Sequence, residues 1–134
     1  MLYSIIFIAL ASVCNAVMDT LAHHYSTSAF KDLDNRFWNA AVSWKNKYIN
    51  YDGGDKRLKK WFWIINKPVQ LSDGWHLFKT LMIIFIILAV VFHKNVDCFI
   101  TVNTCWNGLI QLFIFGVVWN ITFSLFYNHI LRKK

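Results

Sequence analysis

Glutamate is absent from this chain of 134 residues, proline occurs once, and the seven acidic residues are all aspartate. The absence of glutamate excludes the HExxH zinc-protease motif and every catalytic scheme that needs a glutamate base. The sequence also lacks a glycine-rich phosphate loop, a serine or cysteine nucleophile beside a placed base, and a carboxylate pair of the kind used in acid–base catalysis. The familiar motifs of soluble enzymes therefore identify no activity.

Long polar stretches are also few, and the apolar residues are concentrated in three runs. Hydrophobic residues make up 57% of the chain, and the runs cover residues 2–18, 75–92 and 109–127. Each run has roughly the length that a helix needs to cross the hydrocarbon core of a bilayer. Three such helices and their connections use nearly the whole chain and leave no room for a separate soluble domain. The predicted fold is therefore an all-α membrane protein with three transmembrane helices.

We expect one integral membrane domain over residues 1–134. No basic residue precedes the first apolar run, so this run is predicted to be a retained helix and not a signal peptide. Ser72 is the expected N-cap of the second span. The predicted parts are spans at about 2–24, 73–92 and 106–128, a basic and aromatic loop at 25–72, a short loop at 93–104 and a basic tail at 129–134.

The basic residues lie mostly on one side of these predicted spans. Residues 25–72 hold nine of the fourteen Lys and Arg, whereas residues 93–104 hold only Lys94, which Asp97 offsets. Basic residues near span ends favour the cytoplasmic side, so the sequence predicts a cell-membrane protein with the N-terminus outside and the C-terminus in the cytoplasm. The net charge of +7 then reflects topology and contact with anionic lipid. No nucleic-acid partner is expected.

Within the long loop, Phe37, Ala41, Trp44 and Tyr48 recur at helical spacing. This pattern predicts a short amphipathic helix. Such a helix either lies at the headgroup level, with nearby lysines on lipid phosphates, or packs against the helices of its own chain. The sequence leaves both arrangements open.

Polar residues interrupt each apolar run near its predicted cytoplasmic end. They recur at helical spacing, so on each helix they share one face. We expect these faces to form a polar pocket that opens toward the cytoplasm. Its members are Asn15, Asp19 and His23 in the first span, His76, Lys79 and Thr80 in the second, and Asn120, Ser124, Asn128 and His129 in the third.

Four of these residues form a candidate metal site. Asp19, His23, His76 and His129 offer three imidazoles and a carboxylate, a set that a divalent transition metal accepts. If the protein is an enzyme, the catalytic residues would be Asp19, His23, His76 and Lys79. The alternative interpretation is that the histidines and Lys79 anchor span ends at the interface and that the amides serve helix association.

Two cysteines flank the short outer loop. Cys98 and Cys105 would face an oxidising compartment in the predicted topology, where a disulfide between them could close the loop. Two unpaired thiols are the alternative.

Three functions are compatible with this sequence. The first is an oligomer that acts as a pore or as an accessory subunit of a larger membrane complex, because polar stripes on spanning helices favour partners that bury them. The second is a small metal-dependent enzyme that acts on an anionic lipid or another small substrate at the cytosolic interface. The third is an adaptor that docks lipid or protein through the basic loop.

Overall fold

The computed structural model describes residues 1–50, 57–60, 66–93 and 102–133. The regular structure of these residues is helical, and three helices are long and apolar enough to span a membrane, as the sequence predicted. Helix α1 is Leu2–His23; α2, Asn35–Trp38, and α3, Ala40–Ser43, are single turns; α4 is Gly74–Val91 and α5 is Val102–Leu125. Short 3-10 turns at Tyr25–Thr27, Trp44–Lys47 and Val69–Leu71 lie between them, and a π-helical turn, Phe126–Ile130, prolongs α5.

Helix α1 lies between α4 and α5 and packs against both of them. In the most apolar segment of α1, 44% of the residues are buried, compared with 11% in that of α4 and 0% in that of α5. Small residues on α1, among them Ala11, Ser12 and Ala16, are fully buried, and they let the neighbouring helices approach closely. Most of the surface of α4 and α5 is consequently left without a partner among the described residues.

The best-packed region lies where the end of α1, the start of α4 and the end of the chain meet; we call it the basic end. Val17, Leu21 and Leu131 form its buried centre, and aromatic side chains surround them. Trp38 of α2 stacks on Phe30, with ring centroids 5.0 Å apart. The long loop therefore packs at least partly on its own chain.

The predicted amphipathic helix is divided at Asn39. The backbone of Asn39 is extended, and its side-chain oxygen accepts a hydrogen bond from the amide of Ala41. Asparagine in this conformation starts a new helix, so α3 follows α2 without continuing it. Trp38 consequently packs inward, whereas Trp44 is 45% exposed.

Helix α4 begins one residue later than the sequence predicted, because Asp73 and not Ser72 is the N-cap. Gly74 follows in close contact with α1 and α2. A Cβ at this position would lie 3.2 Å from Trp38 Cε3 and 3.3 Å from Leu21 Cδ1. The absence of a side chain at Gly74 therefore allows the start of α4 to reach the core.

The chain end returns to the loop that follows α1. The amide of Ala29 donates to the carbonyl of Leu131, and the amide of Lys133 donates to that of Thr27, both at 2.9 Å. The ammonium group of Lys133 also lies 3.1 Å from a carboxylate oxygen of Asp32. We refer to residues 131–133 and the loop residues they contact as the C-terminal clamp.

Candidate functional site

The N-terminus of α4 holds a paired carboxylate and imidazole. One carboxylate oxygen of Asp73 accepts a hydrogen bond from the backbone amide of His76 at 2.9 Å, and the other lies 2.7 Å from His76 Nδ1. The Asp73 side chain is 2% exposed and that of His76 is 37% exposed. Because an ionised carboxylate only accepts, Nδ1 donates to it, and Nε2 remains available to a partner outside the pair.

Aromatic and cationic groups surround this imidazole. The ring of Trp75 lies edge-on to His76 with centroids 5.1 Å apart, and Lys79 Nζ lies 5.0 Å from the centroid of the Trp75 ring. The hydroxyl of Thr80 donates to the His76 carbonyl at 3.0 Å and is occupied within the helix. The Trp75 ring therefore contacts both the imidazole of His76 and the ammonium group of Lys79.

The basic loop is tied to the same helix start. Asn46 donates its side-chain amide to the carbonyl of Ser72 at 2.8 Å, and Lys59 Nζ donates to the side-chain oxygen of Asn46 at 3.0 Å. This chain of hydrogen bonds fixes the loop beside Asp73. It brings a loop cation to the end of the bundle that also carries Lys79.

The four predicted metal ligands are not gathered. Asp19 is half-buried, and His23 and His129 are exposed. Within the described ranges, no group of three or more His, Cys or Asp residues could hold a metal ion. His76 pairs with Asp73 and not with Asp19. This pair was not predicted from the sequence, although an aspartate at a helix N-cap three residues before a histidine indicates such a contact.

The other predicted pocket residues of α1 and α5 differ in their exposure. Asn15 is half-buried in α1, whereas Asn120, Ser124 and Asn128 are exposed on α5. Asn120 donates to the Gly116 carbonyl at 2.8 Å, and Asn128 donates to the Ser124 hydroxyl at 3.2 Å. Both bonds stay within α5 and the π-helical turn that prolongs it.

A groove runs beside Asn120 on the exposed surface of α5. Gly116 lines it, and a Cβ there would find no described atom within 4 Å beyond the local backbone of its own helix. Phe113, Val117 and Ile121 line its sides. We call Asn120, Ser124 and Asn128 the α5 ladder, since they succeed one another at four-residue intervals along this surface.

The C-terminal clamp includes a second histidine. Arg132 makes a short hydrogen bond with His24 Nε2, and its guanidinium lies 5.1 Å from the centroid of the Tyr127 ring. Partial removal of water lowers the pKa of His24, and the charges of Arg132 and His23 lower it further. These residues are more than 100 positions apart in sequence, so no local pattern indicated the contact.

The predicted disulfide is not assessed by the structure, because Cys98 lies outside the described residues. Cys105 is exposed near the start of α5. Comparison with protein-family models, curated proteins and solved structures finds no match for the chain.

Proposed function

We propose that this protein spans a cell membrane three times and assembles with further copies of itself through α5. The observation that carries the proposal is the exposed α5 ladder on a helix of membrane-spanning length and composition. Polar side chains that face hydrocarbon are costly, and burial against another helix that bonds them removes this cost. The ladder is therefore an association surface.

The chemistry of the ladder favours a second copy as the partner. Copies of one chain insert in the same orientation, so Asn120 of one copy lies at the same depth as Asn120 of the next. A carboxamide both donates and accepts, as does the hydroxyl of Ser124, and such groups are complementary to themselves. Gly116 beside them permits close approach of the two backbones.

The charge distribution supports an orientation with the N-terminus outside and the C-terminus in the cytoplasm. The basic end then lies at the cytoplasmic surface, where anionic lipids are the expected contact. Four cations there lie near aromatic rings at 5.0–5.8 Å, which suits the headgroup layer: Lys45 at Trp44, Lys47 at Tyr48, Lys79 at Trp75 and Arg132 at Tyr127. Anionic lipid is therefore the proposed partner of this surface.

The test is the mass of the purified protein in mild detergent, measured by light scattering for the native chain and for an Asn120→Leu, Asn128→Leu double variant. We expect a discrete oligomer for the native chain and a smaller species for the variant. Val91→Ala alters a side chain of α4 that is 69% exposed and serves as the matched control, which should keep the native mass. A monodisperse native monomer would overturn the proposal.

Two roles are compatible with such an oligomer: it forms a pore, or it is an accessory subunit of a membrane complex. If the ladders line a closed ring, they provide polar groups along a water-filled path. Ion flux into liposomes that contain the protein, lost in the Asn120→Leu, Asn128→Leu variant, would establish the pore. An oligomer without flux would favour the accessory subunit.

The second candidate is an enzyme at the cytoplasmic surface, and the Asp73–His76 pair favours it. Asp73 orients the ring so that Nε2 of His76 can take a proton, while Lys79 and loop cations hold an anionic substrate such as a lipid headgroup. Elemental analysis without an affinity tag tests the metal-dependent form. Stoichiometric metal that is lost in His76→Ala supports it, and a metal-free native protein excludes it.

A further inference from the structure

A second candidate site lies at the opposite end of the bundle from the basic end. A cavity of about 180 Å³ opens there between the three long helices. Its walls are apolar except for one imidazole, and they are formed by Ile8, Ile86, Ala89, Val90, His93 and Phe115. Neither the α5 ladder nor the Asp73–His76 pair takes part in it.

His93 has one satisfied and one unsatisfied ring nitrogen. Its Nε2 lies 2.6 Å from the side-chain oxygen of Gln111 on α5. An amide oxygen only accepts, so Nε2 carries the hydrogen and Nδ1 is left with a lone pair. Nδ1 is buried and has no hydrogen-bond partner within the described part of the chain.

A buried acceptor without a donor costs stability, and such atoms in folded proteins call for a partner. Water is poorly suited here, because an internal water needs two to four polar partners and the cavity walls offer one polar side chain. The volume is close to that of cavities of about 150 Å³ that hold a single benzene ring. A ring of that size with one hydroxyl would fill the space and supply the donor.

We propose that this cavity binds the phenolic ring of an apolar molecule, such as the hydroxylated headgroup of a phenol or quinol dissolved in the membrane. The hydroxyl donates to Nδ1 of His93 after a small rotation of the imidazole, and Gln111 holds the ring in the required tautomer. The edge of His93 lies against Phe115, with ring centroids 5.6 Å apart, and Phe115 offers the bound ring an aromatic neighbour. The proposed membrane location supplies the ligand, but the cavity itself can be tested without it.

The test uses ¹⁹F NMR on the full-length protein in mild detergent, titrated with 4-fluorophenol and, as the matched probe without a hydroxyl, with fluorobenzene. Binding is the saturable signal of the native protein after subtraction of the signal in protein-free micelles. We expect 4-fluorophenol to bind about 10-fold more tightly than fluorobenzene, which corresponds to one hydrogen bond. Equal affinities, or no saturable binding of 4-fluorophenol, would overturn the proposal.

Three variants separate the contributions to binding. His93→Phe should remove the preference for the hydroxyl, and Gln111→Leu, which frees the tautomer, should reduce it. Ala89→Leu places a larger side chain where Ala89 is 3% exposed and should abolish binding of both probes. Val91→Leu, on the exposed side of α4, should change neither affinity. A preference for the hydroxyl that survives in His93→Phe would contradict the assignment of Nδ1 as its acceptor.

Discussion

Asp73 joins the capping of α4 to the orientation of His76. Its carboxylate accepts hydrogen bonds from both the backbone amide and the ring Nδ1 of His76, at 2.9 and 2.7 Å, and is almost completely buried. A buried charge is tolerated when it is paired and hydrogen-bonded, as this one is. The same residue thus stabilises the helix start and presents His76 Nε2 to the surroundings.

Replacement of Asp73 should destabilise the protein more than replacement of its partner. Asp73→Ala removes both the cap and the ring contact, and we expect a loss of about 2 kcal/mol in the free energy of unfolding. His76→Ala leaves the backbone cap in place and should cost about half as much. Unfolding in mixed micelles measures both, and an equal effect of the two substitutions would contradict a capping role.

Two serines of α1 offer a matched comparison. Ser12 and Ser4 are both fully buried, but Ser12 donates to the Trp119 carbonyl on α5 at 2.7 Å, whereas Ser4 Oγ has no partner among the described residues. Ser12→Ala should therefore destabilise the protein by about 1 kcal/mol. Ser4→Ala should leave the stability unchanged or raise it.

The same unfolding assay tests the two serine variants. Since both substitutions remove one hydroxyl from α1, a general effect of polarity or helix propensity would move them together. A Ser4→Ala variant that is as unstable as Ser12→Ala would show that Ser4 has a partner in the folded protein.

The three long helices were predictable because their apolar composition alone indicates them. The rotation of each helix about its axis was not, because a polar stripe on a spanning helix can face either the other helices of the chain or its outer surface. The polar stripes led us to expect Asn120 and Asp19 in one pocket, and the structure shows Asn120 exposed on α5 and Asp19 half-buried on α1.

The Asp73–His76 pair could have been predicted from the local sequence. Asp73 and His76 are three residues apart at a helix start, where a capping aspartate is common. By contrast, the His24–Arg132 contact joins segments from opposite ends of the chain, and only the packing of α1 against α5 brings them together. Contacts of this kind have no signature in a single sequence.

The C-terminal clamp should loosen as the pH falls. Neutral His24 accepts a hydrogen bond from Arg132. Partial removal of water and, to a smaller extent, the charges of Arg132 and His23 keep the pKa of His24 below the ordinary value of 6.5. A group whose pKa is lowered on folding binds protons more readily when released, so protons favour the open clamp. The contribution of this contact is complete above about pH 6.5 and decreases below it.

Hydrogen exchange detected by mass spectrometry can follow the clamp through the amides of Ala29 and Lys133, which bond across it. We expect their exchange, corrected for the intrinsic pH dependence, to increase between pH 7.5 and 5.5. His24→Gln should remove this dependence. His23→Gln removes only the smallest of the three causes that lower the pKa of His24 and should retain most of the dependence. Unchanged protection at low pH in the native protein would contradict the role of His24.

Alanine substitutions at two glycines of α5 should have different effects on assembly. Among the described residues, a Cβ at Gly108 or at Gly116 meets no atom within 4 Å beyond the local backbone of its own helix, so each alanine should stabilise the isolated helix by up to about 1 kcal/mol. Gly116 lies in the groove beside the α5 ladder, where an added methyl group would separate two copies. Gly108 is eight residues away and about 80° from Gly116 around the helix.

Gly116→Ala should therefore weaken the oligomer about 10-fold, while Gly108→Ala should leave it intact. Energy transfer between labelled copies at increasing dilution in lipid measures both. Equal association of both variants would exclude this groove as the contact between copies, whatever the mass of the native protein.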